Sequence, residues 1–289
     1  MAKLERDAHT GYLTTGHEWN GIKELNSPVP WPVWFFIGVT HIWALVYWVL
    51  MPSWPLLTTY TKGLLGHDDR AAVVQAVSHA ANARETWQAQ VDERQYADIL
   101  RDEKLMRKVR DAGHTLFGDN CAVCHGREAR GAQRFPDLTT ESWLWGGTPE
   151  AVAETIRVGI NSDHPQSRVS QMLAFGQDGM IDRAAVNKVV AYVRSLSGTE
   201  GLQAQAVEEG AAIFAQNCAS CHGPTAKGNP DVGAPDLTGT RWIYGGDAET
   251  LFQTIWGGRR GRMPSWEGRL SETDRKIITL YLVDLRARR

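Results

Sequence analysis

The chain has 289 residues, and its 31 Lys and Arg against 33 Asp and Glu leave a formal charge of -2. That balance excludes the strongly basic footprint of a nucleic-acid binder, and 43% hydrophobic against 22% charged residues excludes a disordered chain. The four Cys fall in two identical frames with none left over, which argues against a disulfide scaffold. The length suits one anchor and two small domains.

Residues 1–30 form an N-terminal segment ahead of an apolar stretch. No Asp, Glu, Lys or Arg occurs from Leu25 to Thr61, and Val33–Met51 supplies 19 residues, enough to cross the hydrocarbon core as a helix. Pro28, Pro30 and Pro32 precede it, Pro52 and Pro55 follow, and Trp31, Trp34, Trp48 and Trp54 stand where indoles favour the membrane interface. Residues 31–54 are therefore predicted to be a transmembrane helix rather than a cleaved signal, which would be shorter and lie earlier. Lys3, Arg6 and Lys23 before the span give a weak bias toward a cytoplasmic N-terminus. His41, mid-span, is either a functional ionisable group or a neutral imidazole bonded to a helix.

Residues 55–112 are predicted to be a helical linker. Between His67 and Ala112 the chain is rich in Ala, Glu, Arg and Gln and lacks Pro and Gly, the pattern of one or two polar helices serving as a solvated spacer.

The remainder repeats. Gly113–Gly126 (GHTLFGDNCAVCHG) matches Gly210–Gly223 (GAAIFAQNCASCHG) at a shift of 97, while Pro136–Thr139 and Trp143–Gly147 match Pro235–Thr238 and Trp242–Gly246 at a shift of 99. Each unit closes on an amphipathic helix: Val186, Val189, Val190 and Val193 in one, Ile278, Tyr281, Leu282 and Leu285 in the other. The expectation is a mostly α chain with two tandem domains at 113–198 and 206–289.

Cys121-x-x-Cys124-His125 and Cys218-x-x-Cys221-His222 carry the chemistry. This frame is a c-type haem attachment site, whose thiols and adjacent imidazole can share one helix face. A zinc site would need its Cys pairs far closer than 97 residues, and a thioredoxin-like pair carries no following His. Two covalently bound haem c groups are expected, attached through Cys121, Cys124, Cys218 and Cys221 and ligated by His125 and His222. Pro136 and Pro235 either offer a carbonyl to each imidazole or simply mark a Pro-Asp turn. For the sixth ligands, Met263 and Met172 lie in matching loops before the closing helices. Both read Met, any residue, small, aromatic, and Met172 is preferred over Met180 and His164 for the first haem. Met/His ligation fills both axial sites and suits electron transfer.

The chain resembles the di-haem, membrane-anchored CcoP/FixP subunit of cbb3-type cytochrome c oxidase. The resemblance rests on Gly16-His-Glu-Trp-Asn-Gly-Ile-Lys-Glu-Leu-Asn26 followed by Pro28 and Pro30, on the order of anchor, polar helix and two CxxCH domains, and on Ser170-Gln-Met172. It departs at Asn20, where the family usually has Asp, and at Leu173, where it usually has Pro. The resemblance implies an electron relay in the bacterial inner membrane, single-pass, with the N-terminus cytoplasmic and the haem domains periplasmic. Its partners would be a haem-copper catalytic subunit that reduces oxygen to water, a second membrane-anchored cytochrome c subunit and a cytochrome c donor. A tethered di-haem cytochrome serving a periplasmic dehydrogenase is compatible with every residue after Gly113. Arg259, Arg260 and Arg262, crowded before Met263, are read either as partners of a haem propionate or as a basic docking loop.

Overall fold

The computed structural model describes residues 5–288, so Lys3 lies outside the described residues. The chain divides into two compact units, Met1–Ala83 and Arg84–Arg289.

The first unit opens on an antiparallel hairpin, β1 (Thr14–Trp19) and β2 (Ile22–Leu25). Its turn is Asn20-Gly21, both with positive φ, the pair that a tight two-residue hairpin loop requires. Lys23 pairs with Glu5 at 2.6 Å, and the Trp19 indole donates to Glu24 at 3.1 Å. Helix α1 (Trp31–Leu50) follows, with Pro at its first turn and Pro52 just past its end. It is long and apolar enough to cross a membrane, and none of its residues is buried against protein. His41 bonds through Nδ1 to the Ile37 carbonyl of the same helix at 2.7 Å, which satisfies the ring locally.

Helix α2 (Asp69–Glu93), α3 (Tyr96–Arg101) and α4 (Glu103–Asn120) occupy the stretch expected to be a spacer. From residue 84 onward that expectation is corrected. Trp87, Val91, Ile99, Leu105, Met106 and Val109 are buried together with Ile277 and Leu280 of the last helix, so these segments are part of the folded unit. Asp102 caps α4 through the Leu105 N–H, which starts that helix ten residues before the repeat.

The rest is a set of paired elements: the CxxCH turns α5 (Ala122–His125) and α9 (Ala219–His222), the middle helices α6 (Pro149–Val158) and α10 (Ala248–Gly257), and the closing helices α7 (Arg183–Leu196) and α11 (Glu272–Ala287), with α8 (Ala204–Asn217) the counterpart of α4. Thr148, Asp182, Asp247 and Ser271 cap α6, α7, α10 and α11 with their side chains.

The sequence repeats are not the packing units. Phe117 of α4 and Val152 and Ile156 of α6 share a core with Ile278, Tyr281 and Leu282 of α11, with Met263 and Trp266 packed against it. Val186, Val189, Val190 and Val193 of α7 instead pack with Phe214, Cys218, Leu251, Phe252 and Ile255, and Met172 and Phe175 lie against that core. The closing segments are exchanged. One half is built from two distant pieces, 103–160 and 263–287, and the other from the continuous stretch 172–256. The sequence can describe its repeats correctly and still say nothing of which copy each closing helix joins, because α7 and α11 carry equivalent apolar faces.

Candidate functional site: two CxxCH turns

Each CxxCH turn is launched from the end of a long helix. Phe117 and Phe214 are fully buried one turn before Cys121 and Cys218, and the first Cys of each frame closes the helix by donating its N–H to that Phe carbonyl at 2.8 Å. The turn then returns to Gly126 and Gly223, both at positive φ.

The two imidazoles are held alike. His125 donates Nδ1–H to the Pro136 carbonyl at 3.1 Å, and His222 donates to the Pro235 carbonyl at 3.1 Å. The proline carbonyls thus accept from the rings, so these prolines are more than turn residues. This bond fixes the tautomer and leaves the Nε2 lone pair for a metal. Burial pushes both imidazoles below their ordinary pKa, with the carbonyl bond opposing it, so both remain the neutral form that ligates. Burial likewise pushes the Cys121 and Cys218 thiols up to about 11.

The methionines arrive from the exchanged segments. Met263 pairs its backbone with Ile160 through two hydrogen bonds of 2.9 Å, and Met172 pairs with Arg259 at 2.9 and 3.0 Å. Ile160 and Arg259 each follow the glycine that ends a middle helix. A Cβ on Gly159 would stand 2.5 Å from the Met263 carbonyl oxygen, and one on Gly258 2.6 Å from that of Met172. Both glycines also have φ near +70°, so two independent demands select Gly there. The expectation that Met172 serves the first haem is therefore corrected. Met263 lies against the core that Cys121 and Ala122 also flank, and Met172 lies against the core that contains Cys218. Of the rivals to Met172, Met180 is exposed outside both cores. His164 is committed at both nitrogens, donating to Glu267 at 2.6 Å and accepting from the Gln166 N–H at 3.0 Å.

A cleft of about 1260 Å³ opens beside His125, with Trp143, Trp145, Met263 and Leu282 in its wall and Trp242 and Tyr244 of the other half facing them. It exceeds an ordinary small-molecule pocket. Arg241 reaches across it to pair with Asp137. In its wall, buried Trp145 Nε1 has no hydrogen-bond partner among the described residues, and the Arg168 guanidinium, whose Nε is likewise unpartnered, stacks on that indole at 4.8 Å. A large planar apolar group bearing carboxylates fits such a wall; sequence reasoning reads Trp145 only as part of the repeated Trp143–Gly147 stretch and misses Arg168, which belongs to no motif. Of the three arginines singled out before Met263, Arg262 pairs with Asp163 at 2.6 Å. Arg259 donates to Thr254 at 3.0 Å and stacks on Tyr244 at 4.6 Å, so both already have protein partners.

Two CxxCH turns, each with a carbonyl-oriented histidine and a packed methionine, define a di-haem c-type cytochrome of the electron-transfer kind. Comparison with known proteins agrees: residues 111–197 match the cytochrome c family, 205–282 the family described as cytochrome c oxidase, cbb3-type, subunit III, and 11–58 the N-terminal domain of cytochrome oxidase-cbb3, FixP. The chain is 47% identical over 283 residues to the cbb3-type cytochrome c oxidase subunit FixP of Bradyrhizobium sp. strain ORS 278, covering 97% of each chain. It is 45% identical over 277 residues to FixP of Azorhizobium caulinodans, 96% of this chain and 94% of that one. It is 41% identical over 294 residues to the CcoP subunit of Azospirillum brasilense, 99% of each. The chain belongs to the FixP/CcoP family, subunit III of cbb3-type cytochrome c oxidase, and is an electron-transfer subunit of that complex with two cytochrome c domains that imply c-type haem. The match through the N-terminal hairpin and α1 sets aside the dehydrogenase alternative.

Proposed function

We propose that the chain carries two covalent haem c groups and relays electrons from a cytochrome c donor toward a haem-copper catalytic subunit that reduces oxygen to water. Cys121 and Cys124 would hold the first haem, with His125 and Met263 on its iron. Cys218 and Cys221 would hold the second, with His222 and Met172. The observation that carries this reading is the doubled arrangement of a His Nδ1–H on a proline carbonyl with a Met packed in the same core.

When bound, the haem iron supplies one-electron chemistry; the chain's own residues decide that it does little else. The histidines present a neutral Nε2 in a fixed orientation. Met263 and Met172 offer a soft sulfur where an oxygen or peroxide site would need an open position, and a thioether ligand holds the potential higher than a second imidazole would. The Trp143, Trp145 and Trp242 side chains in the cleft wall would exclude water from a bound haem.

The reading extends to place. Helix α1 serves as a single-pass anchor in the bacterial inner membrane, with residues 1–30 cytoplasmic and the haem unit periplasmic, where c-type haem is attached. Alongside the catalytic subunit sits a second membrane-anchored cytochrome c subunit. The test is composition and company. Denaturing gels should keep haem staining at full-length mass, and Cys121→Ala with Cys124→Ala should halve the haem absorbance. Detergent-solubilised complex should contain the catalytic subunit. Full haem absorbance in the double variant would overturn the first site.

A further inference from the structure

The two CxxCH turns share a backbone path but not a surface. Residues 126–135 after the first turn carry Arg127, Arg130 and Arg134 against a single Glu128, whereas 223–234 after the second carry Lys227 against Asp231. All three guanidiniums of the first loop are exposed, and among the described residues none forms an ion pair. Val123, between the two Cys of the first frame, is 91% exposed, and its counterpart in the second frame is Ser220.

Arg134 stands at φ +75°, and the equivalent position in the second repeat is Gly233 at φ +65°. The backbone at this point demands the left-handed region, which glycine adopts freely and arginine does not. The Arg134 N–H is anchored on the Ile243 carbonyl at 2.9 Å, so the strained conformation is enforced and its side chain is displayed at the surface. Beside it, Phe135 is 38% exposed, and its ring lies 6.4 Å from that of His125, edge to face. The second repeat has Ala234 there. One repeat therefore sets an aromatic between solvent and its histidine, ringed by unpaired arginines; the other does neither.

We propose that the Arg127–Phe135 loop, with Val123, is the docking surface for a small, soluble, acidic one-electron redox protein, which delivers electrons to the first haem. The proposal rests on the relay function above and names its partner's chemistry. A resident subunit would cover a large, apolar area. Single apolar side chains among exposed like charges suit a transient encounter steered by charge, with a brief apolar contact at the centre. In the encounter one electron leaves the partner's reduced centre, which departs oxidised, and the first iron passes from ferric to ferrous. No bond is made and no proton moves.

The experiment uses the whole purified oxidase complex containing this chain, wild type or R127Q/R130Q/R134Q, with a small acidic blue-copper protein as probe. Stopped-flow reduction should be fast and steeply salt-dependent in the wild type. In the triple variant it should be roughly tenfold slower at low salt, with a flattened salt slope. A redox-inert zinc-substituted probe, titrated by NMR, should show binding weakened in parallel. Arg134→Gly alone relieves the backbone strain, so it should keep or improve thermal stability while lowering the rate by roughly two- to threefold. Haem content, and oxygen turnover driven by a small neutral reductant, should be unchanged in both variants. An unaltered rate and salt slope in the triple variant would overturn the proposal. So would loss of the other subunits on purification, which would make the loop a resident interface. A wild-type complex that holds its haems but passes no electrons to oxygen from the neutral reductant would overturn the relay reading, and the docking proposal with it.

Discussion

The two cytochrome halves of this chain are made from the same parts but strung differently. In one, α7, α8, α9 and α10 follow each other along residues 172–256, so Met loop and closing helix come before the CxxCH turn they serve. In the other, α4, α5 and α6 wait for Met263 and α11, more than a hundred residues later. The continuous half is a circularly permuted cytochrome inserted into the discontinuous one. The exchange costs little in contact chemistry, since each Met meets the same kind of glycine-ended helix in either arrangement. It does make the discontinuous half depend on the whole chain: its core cannot close until the continuous half has been traversed.

The largest effect that would break this comparison concerns the iron ligands. With Cys218→Ala and Cys221→Ala leaving only the first haem, Met263→Leu should abolish the sulfur-to-iron charge-transfer band and lower the potential, while Met172→Leu should leave both unchanged. Tandem, unexchanged repeats would give the opposite assignment. The converse background, Cys121→Ala with Cys124→Ala, should show dependence on Met172 alone.

Next in size are the helix crossings. A Cβ on Gly210 would collide with the Lys188 carbonyl oxygen, and one on Gly113 would stand 2.5 Å from the Tyr281 Cβ. Alanine gains up to about 1 kcal/mol of helix propensity at either site, but overpacking costs about 1–3 kcal/mol and backbone cannot step aside as a side chain can. Gly210→Ala should therefore lower the melting temperature more than Gly113→Ala. A double-mutant cycle should couple Gly113→Ala to Tyr281→Ala and not to Tyr192→Ala; coupling to Tyr192 would restore the unexchanged packing.

A smaller contrast separates the ion pairs at these crossings. Arg110 grips Asp284 through two bonds of 3.0 Å, and Asp284 is buried. Lys188 meets Glu209 with both side chains two-fifths exposed. Asp284→Asn leaves Arg110 its Glu103 partner but removes the buried carboxylate that Arg110 and Arg288 share, so it should cost about 1–3 kcal/mol in chemical denaturation. Glu209→Gln should change nothing measurable, as exposed pairs are screened. Equal losses would show that the two crossings are energetically alike.

Much of this was legible in the residues. CxxCH, the Pro-Asp-Leu-Thr turns, the closing-helix stripes and the apolar span each depend on spacing within about twenty residues, which sequence displays directly. The hairpin is equally local, announced by Asn20-Gly21, but its short strands lack the apolar alternation that marks a half-buried sheet. The exchange was not legible. It turns on which of two near-identical partners α11 meets, and Val186 and Val193 present the same stripe as Ile278 and Leu285. The buried run Ile277–Asp284 offers one trace of it. A closing helix apolar on more than one face must touch something besides its haem core, here Val91, Ile99 and Met106.

Acid should separate the halves last and most gently. Glu267, four residues after Met263, accepts from His164 and from Arg157, and these bonds hold its carboxyl down at about 2. Its counterpart after Met172 is Gly176, packed against Trp256, with nothing to titrate. A carboxylate depressed in the folded state stabilises that state above its unfolded pKa, near 4.5, and the benefit fades as pH falls toward 2. As the pH falls, the clamp is lost through protonation of Glu267. Melts between pH 6 and pH 2, followed at each haem's sulfur band, should show the Met263 band yielding before the Met172 band. Glu267→Gln should lower the stability of the first site at pH 6 and match wild type near pH 2. Both bands failing together in wild type, with no effect of Glu267→Gln at pH 6, would mean that the clamp contributes nothing to the discontinuous half and that its acid limb is set elsewhere.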